Sequence, residues 1–508
     1  MKKSRIVYNL IFILIFMVLL IVPTVLMDHE QYKSSDIDNK TLTEWPGFSM
    51  DTETIRTIED YVDDRIGFRS AAIYEYTKLS DDIFHVMVHP LFMYGEDGHI
   101  YYKDKDYVAA YQKLNTNPEY MDSLVNYLEK TNDYLKSRDI KFLYFLAPDK
   151  KSIYPEHFPK SVHVKEDETS VIEYMSSRLA NSEIEYVIPY NELLKAKENL
   201  VVYNKKYDAT HWNEYGSMIG QKLLDDHVQQ WFDDVRPLSE ADYSLGFEKR
   251  TNLDQSDFPI DDDVPVYTLI SDTSQDAGAY LATGIKLEVP TFYAHYMNPE
   301  VTNGKRLVIF TDSYFATYSK FYTNRFTEVY YIHRQNYRYL QYIVNLLFPD
   351  AVIFETAERS ITGEMPLSTE LGDYYYEKSY NQVSENGLKE ISKPADLEYS
   401  ITRVTGALRD GNILKINPED GASIVSMAGY IHNYEKTKDL DLYLLIDGNY
   451  LELDYDNLHK ESVEDNKKYF EIDVQRRYLA PCEMQVIAVD ETSGEQFVVE
   501  TFTITYGE

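Results

Sequence analysis

From Ile6 to Met27 the chain carries no charged side chain, and a helix of that length crosses a hydrocarbon core about 30 Å thick. Lys2, Lys3 and Arg5 precede this run and Asp28, His29 and Glu30 follow it. The basic flank predicts a cytoplasmic tail (1–5), a membrane anchor (6–27) and an extracellular remainder, a single-pass protein in the cell membrane. Val25-Leu26-Met27 offers no small-residue cleavage pattern, which favours an uncleaved anchor over a signal peptide. A polar stretch then passes Trp45-Pro46-Gly47 into a helical pattern of Ile55, Ile58, Tyr61, Val62 and Ile66, so 28–83 reads as a stalk and entry helix.

Between 84 and 390, strand-like apolar runs such as Lys141 to Ala147 and Arg306 to Phe310 alternate with amphipathic stretches such as Met121 to Ser137 and Tyr337 to Phe348. This alternation predicts an α/β fold, a parallel sheet flanked by helices. The segment 235–276 breaks the rhythm with Pro237, Pro259, Pro265 and Asp261-Asp262-Asp263, and reads as an insertion or lid whose acidic run is a solvated loop. From 391 to 508 short apolar runs separated by turns predict an all-β sandwich, with Asp447-Gly448 as a hairpin turn. Tyr430, Tyr434, Tyr443 and Tyr450 in this region read equally as sugar-stacking platforms of a carbohydrate-binding domain and as core residues.

Composition narrows the function. In 508 residues, 50 basic against 85 acidic side chains leave a formal charge of -35, which argues against a nucleic-acid partner. A lone cysteine, Cys482, excludes a disulfide framework and any multi-cysteine metal site. With no P-loop, GxGxxG or HExxH motif, neither a cofactor nor a metal is expected.

Thr311-Asp312-Ser313-Tyr314 follows the apolar run 306–310, at the strand end where open α/β sheets bind ligands. Ser313 is placed as a nucleophile, and the backbone N–H of Tyr314 as an oxyanion donor. A serine needs a base and the base an orienting acid; Tyr207-Asp208-Ala209-Thr210-His211 supplies His211 and Asp208 on one tight turn. Arg334 and Asn336, after the run Val329 to His333, are further oxyanion or substrate candidates by their place at another strand end.

Thr311-Asp312-Ser313 resembles the Gly-Asp-Ser block of SGNH hydrolases, and Asp208-Ala209-Thr210-His211 resembles their Asp-x-x-His block in inverted order. That order is similar to the permuted SGNH-like domain of the alginate O-acetyltransferases of the AlgX/AlgJ type. Asp64-Arg65-Ile66-Gly67-Phe68-Arg69, Gly95-Glu96-Asp97-Gly98, Pro148-Asp149-Lys150-Lys151-Ser152-Ile153-Tyr154-Pro155 and His211-Trp212-Asn213-Glu214-Tyr215-Gly216 extend the resemblance over residues 43–360. In this chain Asp and His are three apart where the alginate enzymes usually have two, and Thr311 stands where glycine is common. The SGNH oxyanion glycine and asparagine have no clear counterpart. The resemblance implies O-acetylation of a cell-surface or secreted polysaccharide through an acyl-serine. It also implies a membrane-bound O-acyltransferase that delivers the acetyl group. A carbohydrate esterase or deacetylase, a teichoic-acid D-alanyl transfer protein and a non-catalytic polysaccharide-binding scaffold are the alternatives.

Overall fold

The computed structural model describes residues 2–31, 34–35, 40–254, 256, 258–278, 281, 287–316, 319–361, 398–416, 424–433, 440–446, 449–452, 463–464, 466–479, 481–490 and 496–506. The first helix, α1 (Lys2–Val25), is long and apolar enough to cross a membrane, and its large apolar side chains from Tyr8 to Ile21 are exposed. Helices α2 (Thr52–Arg65) and α3 (Arg69–Phe84) follow. Described residues between α1 and α2 are hydrogen-bonded to the end of α2. Asp28 N–H donates to the Arg65 carbonyl at 2.8 Å, and Gly67 N–H to that of Pro23 at 2.9 Å. The buried Arg65 reaches the carbonyls of Glu30 (2.5 Å) and Thr43 (2.7 Å) and the Glu44 carboxylate (2.6 Å). Asp64 accepts the N–H and hydroxyl of Thr43 at 3.0 and 2.8 Å. A Cβ at Gly67 would stand 2.7 Å from Leu26 Cβ and from the Pro23 carbonyl, so only glycine lets the chain pass the end of α1 this closely.

Helix α4 (Pro118–Ser137), strands β1 (Lys141–Ala147) and β2 (Tyr186–Val187), and helix α5 (Glu214–Trp231) open the α/β layer. A two-stranded ribbon of β3 (Tyr243–Asn252) and β4 (Pro259–Leu269) comes next. The sheet is completed by β5 (Gln275–Gly278), β6 (Ala294–Met297), β7 (Arg306–Thr311), β8 (Glu328–His333) and β9 (Ala351–Ala357). Short α6 (Ser313–Ala316) follows β7, and α7 (Leu340–Leu347) precedes β9. The strand order is β2-β1-β9-β7-β8-β6-β5, with the first five parallel and the β6 and β5 pairings antiparallel.

All seven residues of β9 are buried, as expected of a parallel strand covered on both faces. Alternate side chains serve opposite layers. Tyr144, Leu146, Val308, Phe310, Val352 and Phe354 pack with α4 and α7, whereas Leu143, Phe145, Leu307, Ile309 and Ile353 pack with Trp212 and α5. The parallel arrangement sends the carboxyl ends of β1, β7, β8 and β9 to one edge, where Asp149, Ser313, Arg334 and Arg359 emerge.

Within the segment read as an insertion or lid, the acidic run read as a solvated loop lies instead in strand β4 of the β3–β4 ribbon. Asp261 lies in β4 and pairs with Lys249 across the ribbon at 2.9 Å. Asp262 accepts the backbone N–H groups of Lys206 and Tyr207 at 2.7 and 2.9 Å. The acidic run alternates between solvent and a neighbouring loop, because strand geometry sends successive side chains to opposite faces.

Beyond the α/β layer, a four-stranded sheet (Glu398–Thr405, Ile424–His432, Lys467–Gln475, Val463–Glu464) faces a six-stranded one (Leu408–Asp410, Ile413–Ile416, Gln496–Tyr506, Glu483–Asp490, Leu440–Ile446, Asn449–Glu452). Their inner faces share one apolar core, including Val425, Met427, Leu444, Ile472, Val486 and Phe502. This is a β-sandwich. Leu440–Ile446 and Asn449–Glu452 pair antiparallel, while Asp447-Gly448 between them lies outside the described residues. Tyr443 is buried with Ile487 and Val489, so it packs rather than offering a sugar platform. Half-buried Tyr430 meets Tyr469 edge-on at 5.5 Å. Tyr434 and the Tyr450 side chain lie outside the described residues.

Candidate active site

The turn 208–211 is built around one carboxylate. Asp208 Oδ1 accepts the backbone N–H of Thr210 at 2.8 Å and of His211 at 2.9 Å, closing an Asx turn. Asp208 Oδ2 is left to meet His211 Nδ1 at 2.9 Å. The three-residue spacing is what this double use requires, one oxygen for the turn and one for the ring. Burial by itself would raise the Asp208 pKa, but His211 and the two N–H donors hold it well below the usual carboxylate range. An ionised acceptor at Nδ1 puts the ring proton there, leaving Nε2 as the acceptor. Nε2 lies 2.7 Å from Ser313 Oγ, the exposed first residue of α6. The structure thus brings Asp208, His211 and Ser313 into one continuous relay.

The other sequence candidates sit differently. Tyr314 N–H donates to Asp312 Oδ1 at 3.1 Å, and its ring is fully buried, with the hydroxyl at 2.8 Å from the Pro148 carbonyl and 2.9 Å from that of Thr210. Its backbone donor is therefore already occupied. Both amide protons of Asn336 are spent on the carbonyls of Glu288 (2.9 Å) and His333 (3.1 Å), and its oxygen accepts Glu288 N–H at 2.7 Å. Asn336 braces a loop and has no proton left for an oxyanion. Arg334 Nε stands 3.7 Å from Asp312 Oδ2. Thr311, in the place where glycine is usual, is fully buried and donates its hydroxyl to Glu355 Oε2 at 2.5 Å, while Asp312 N–H donates to the same oxygen at 3.0 Å. Burial, and then the neighbouring Asp312, push the Glu355 carboxyl well above its ordinary pKa.

Three features escaped the sequence reading. Asp149, just past β1, is fully buried; Arg359 and Lys151 hold its pKa down against the upward push of burial. It accepts the backbone N–H of Arg359 at 3.1 Å and pairs with that guanidinium and with Lys151 Nζ at 3.2 Å. Lys151 also meets Glu358 at 2.8 Å, so two acids and two bases close a compact network. Arg359, just past β9, thereby aims Nη2 at His211 Nε2 from 3.0 Å. Both residues were reachable by the rule that located Ser313, since each follows an apolar strand run at the same sheet edge.

The second feature is Lys150, whose fully buried Nζ donates to the carbonyls of Ile100 (2.9 Å), Lys205 (3.0 Å) and Asp208 (3.0 Å). Burial lowers its pKa to about 7. The third is the ribbon, which clamps the 207–211 turn. Besides the Asp262 contacts, Asp254 N–H donates to the Tyr207 carbonyl at 2.8 Å, and Leu253 and Phe258 pack with Ala209 and Ile100. Behind the turn, Asn213 caps α5 through the N–H groups of Tyr215 (3.0 Å) and Gly216 (3.2 Å), which accounts for the His-Trp-Asn-Glu-Tyr-Gly run.

A relay of this kind on an α/β sheet edge is one element of the picture, and family comparison supplies the other. Residues 92–248 match the family model of the SGNH hydrolase-like domain of the acetyltransferase AlgX. Over that stretch the chain is similar to an AlgX-type SGNH domain. The matched stretch contains Asp208 and His211 and ends before Ser313. Solved structures similar to this chain include PatB1 from Bacillus cereus, at 13% identity and TM-score 0.41, over 54% of this chain and 98% of that one. The O-acetyltransferase domain of AlgJ from Pseudomonas putida aligns at 12% identity and TM-score 0.37, over 55% and 95%. AlgX from Pseudomonas aeruginosa aligns at 13% identity and TM-score 0.33, over 82% and 91%. No curated protein matches the chain. Among the described residues no His, Cys, Asp or Glu cluster has the arrangement of a metal site in the AlgX-like domain or elsewhere.

Proposed function

We propose that this protein is an O-acetyltransferase that works outside the cell, held to the membrane by α1, and acetylates hydroxyls of a cell-surface or secreted polysaccharide. The carrying observation is the Asp208–His211–Ser313 relay, with steps of 2.9 and 2.7 Å, at the carboxyl edge of the sheet. Ser313 Oγ attacks the acetyl carbonyl carbon as His211 Nε2 takes its proton. The tetrahedral adduct collapses, the donor's leaving oxygen departs with that proton, and acetyl-Ser313 remains. A sugar hydroxyl then attacks the acyl-enzyme, giving its proton to His211, and Ser313 is released. Asp208 keeps the ring in the tautomer both steps need. A membrane-bound O-acyltransferase is the donor partner of this reading, and the basic N-terminal flank of α1 supports a cytoplasmic N-terminus.

The same relay serves hydrolysis whenever water outcompetes the sugar, so transfer and esterase activity are separated by acceptor dependence. The test is the full-length protein with a chromogenic acetyl ester, with and without oligosaccharide, for wild type and Ser313→Ala. The reading expects the variant to fold and to lose ester turnover. It also expects acetylated sugar to form with wild type alone. Retained turnover in folded Ser313→Ala would remove the serine mechanism, no turnover by wild type would leave a polysaccharide-binding scaffold, and ester cleavage without transfer to any sugar would make the protein an esterase.

A further inference from the structure

Helix α3 is turned inside out for a helix in water. The positions it buries are polar, Thr77 and Ser80, and the Thr77 hydroxyl donates to the Val88 carbonyl at 3.4 Å. Its outer face carries an apolar row. Ala72, Tyr76, Leu79 and Ile83 recur at the i, i+4, i+7, i+11 spacing that lines up side chains on one side of a helix, and Phe68, just before the helix, continues the row. All five are exposed, the four large ones by more than half. A helix surrounded by water turns such a row onto its own protein. A contiguous apolar row left outside marks a surface that something apolar covers.

The place where the row begins identifies the cover. Gly67 N–H donates to the Pro23 carbonyl at 2.9 Å, and a Cβ on Gly67 would stand 2.7 Å from Leu26 Cβ. Pro23 and Leu26 both lie within the uncharged run Ile6 to Met27. After α2 the chain has therefore returned to the level at which α1 leaves a hydrocarbon core, and α3 starts there. The contact also has a use at that depth. A carbonyl in the last turn of a membrane helix has no partner in its own helix and little water, and Gly67 supplies the donor. At 1.5 Å per residue the 16 residues of α3 extend about 24 Å from this point.

The chemistry of the row suits uncharged lipid. Arg69, Glu75 and Lys78 carry both signs, so the helix has no basic cluster for anionic headgroups, and its attachment is apolar. Tyr76 joins an apolar ring to a polar tip, the form that favours a membrane interface. We propose, resting on the reading of α1 as a membrane anchor, that α3 lies in the outer interface of the membrane that α1 spans. Phe68, Tyr76, Leu79 and Ile83 then sit at the boundary of headgroups and acyl chains, a second attachment beside the anchor. The consequence for the site is orientation. Met87, three residues past α3, packs with Ala209, Leu253 and Phe258, and His89 Nε2 meets Ser256 Oγ at 2.9 Å. Through these contacts a helix held on the bilayer gives the turn of Asp208 and His211 a fixed direction to the membrane, where a single tether leaves it free to swivel.

The experiment places one environment-sensitive fluorophore at a time on the full-length protein in phosphatidylcholine vesicles, through Leu79→Cys, Ile83→Cys, Lys78→Cys or Leu14→Cys, each with Cys482→Ala. All four labelled positions are exposed, so the label displaces no packed side chain. Labels at Leu79 and Ile83 should emit to the blue of the label at Lys78, on the flank of the helix. Phospholipid brominated on its acyl chains should quench them several-fold more than the label at Lys78, and aqueous iodide several-fold less. Iodide quenching at Leu79 and Ile83 as strong as at Lys78, without quenching by brominated lipid, would put α3 in water and overturn the proposal. Shielding from both quenchers would mean that a second copy of the chain covers the row, which overturns it equally. The label at Leu14 tells the two readings apart. Without lipid quenching there, α1 is not in the membrane and the anchor reading fails, whereas strong lipid quenching at Leu14 with none at Leu79 and Ile83 rejects the α3 attachment alone.

Discussion

Lys150 shows how much of the 208–211 turn is held from below. Its ammonium gives one proton to each of three carbonyls, one of them Asp208's, and among the described residues no carboxylate is hydrogen-bonded to it. Lys150→Met keeps the bulk and removes all three donors. The Lys205 carbonyl keeps the Ile100 N–H at 3.0 Å, so two carbonyls lose the ammonium without that backup; at about 1–3 kcal/mol for each stranded buried carbonyl, the loss should be about 2 kcal/mol at the low end. Thermal melting checks this, and kcat should fall with it because the Asp208 main chain is released; an unchanged melting temperature would mean water replaces the amine. Glu355 makes the companion prediction, with a sign fixed by linkage. Its folded pKa lies above the ordinary 4.5, so its contribution is fully present below about pH 4.5 and is lost as pH rises toward the folded value. Glu355→Gln keeps the acceptor for Thr311 and Asp312 and removes the titration. The melting temperature of the variant relative to wild type should therefore climb between pH 5 and 8, and a flat difference would show that Glu355 is ionised in the fold.

At the scale of elements, the strands and the relay were legible and their supports were not. The runs at 141–147 and 306–310 are long and apolar because a parallel strand is covered on both faces, and the residue after such a run falls at the ligand-binding edge. That logic reached Ser313, and His211 with Asp208 announced themselves by spacing. The ribbon did not, since Asp261-Asp262-Asp263 reads as solvent-seeking by composition, and only the loop that Asp262 caps reveals its use. Nor could the sequence show that Tyr314 N–H and Asn336 are already spent, because hydrogen-bond occupancy is a property of the packed state. The clamp can be tested directly. Phe258 is buried beside Ala209 and Ile100, and Phe258→Ala should cost about 3–5 kcal/mol where the ribbon meets the turn. If the ribbon orders the relay, kcat for the acetyl ester falls while KM holds. Loss of stability with undiminished kcat per folded molecule would make the ribbon a bystander.

At the scale of the molecule, the core of the α/β layer and that of the sandwich are joined by a few specific contacts. Tyr342 on α7 donates to Asp473 at 2.5 Å, and Phe348, at the end of α7, packs against the sandwich core. Arg477 of the sandwich pairs with Glu328 of β8 at 3.0 Å, a carboxylate that is itself buried. Helix α7 is thus pressed between the central sheet and the sandwich, and the strand that follows it ends at Arg359. If the sandwich binds the acceptor polymer of the proposed function, docking of this kind would hold that polymer at a fixed distance from Ser313, whereas a swinging sandwich would only raise its local concentration. Removing Arg477 takes a charged hydrogen bond from buried Glu328, worth about 1.5–3 kcal/mol, and Tyr342→Phe removes the second bridge. Arg477→Ala with Tyr342→Phe should split one calorimetric transition into two and leave acetyl-ester kcat within about twofold of wild type, because no group of the relay is touched. Acetylation of a long polysaccharide should fall while a short oligosaccharide is acetylated as before. An unchanged single transition would mean that apolar packing at Phe348 carries the docking. Equal losses on polymer and oligosaccharide would mean instead that the sandwich acts through α7 on the catalytic edge and not by holding the chain.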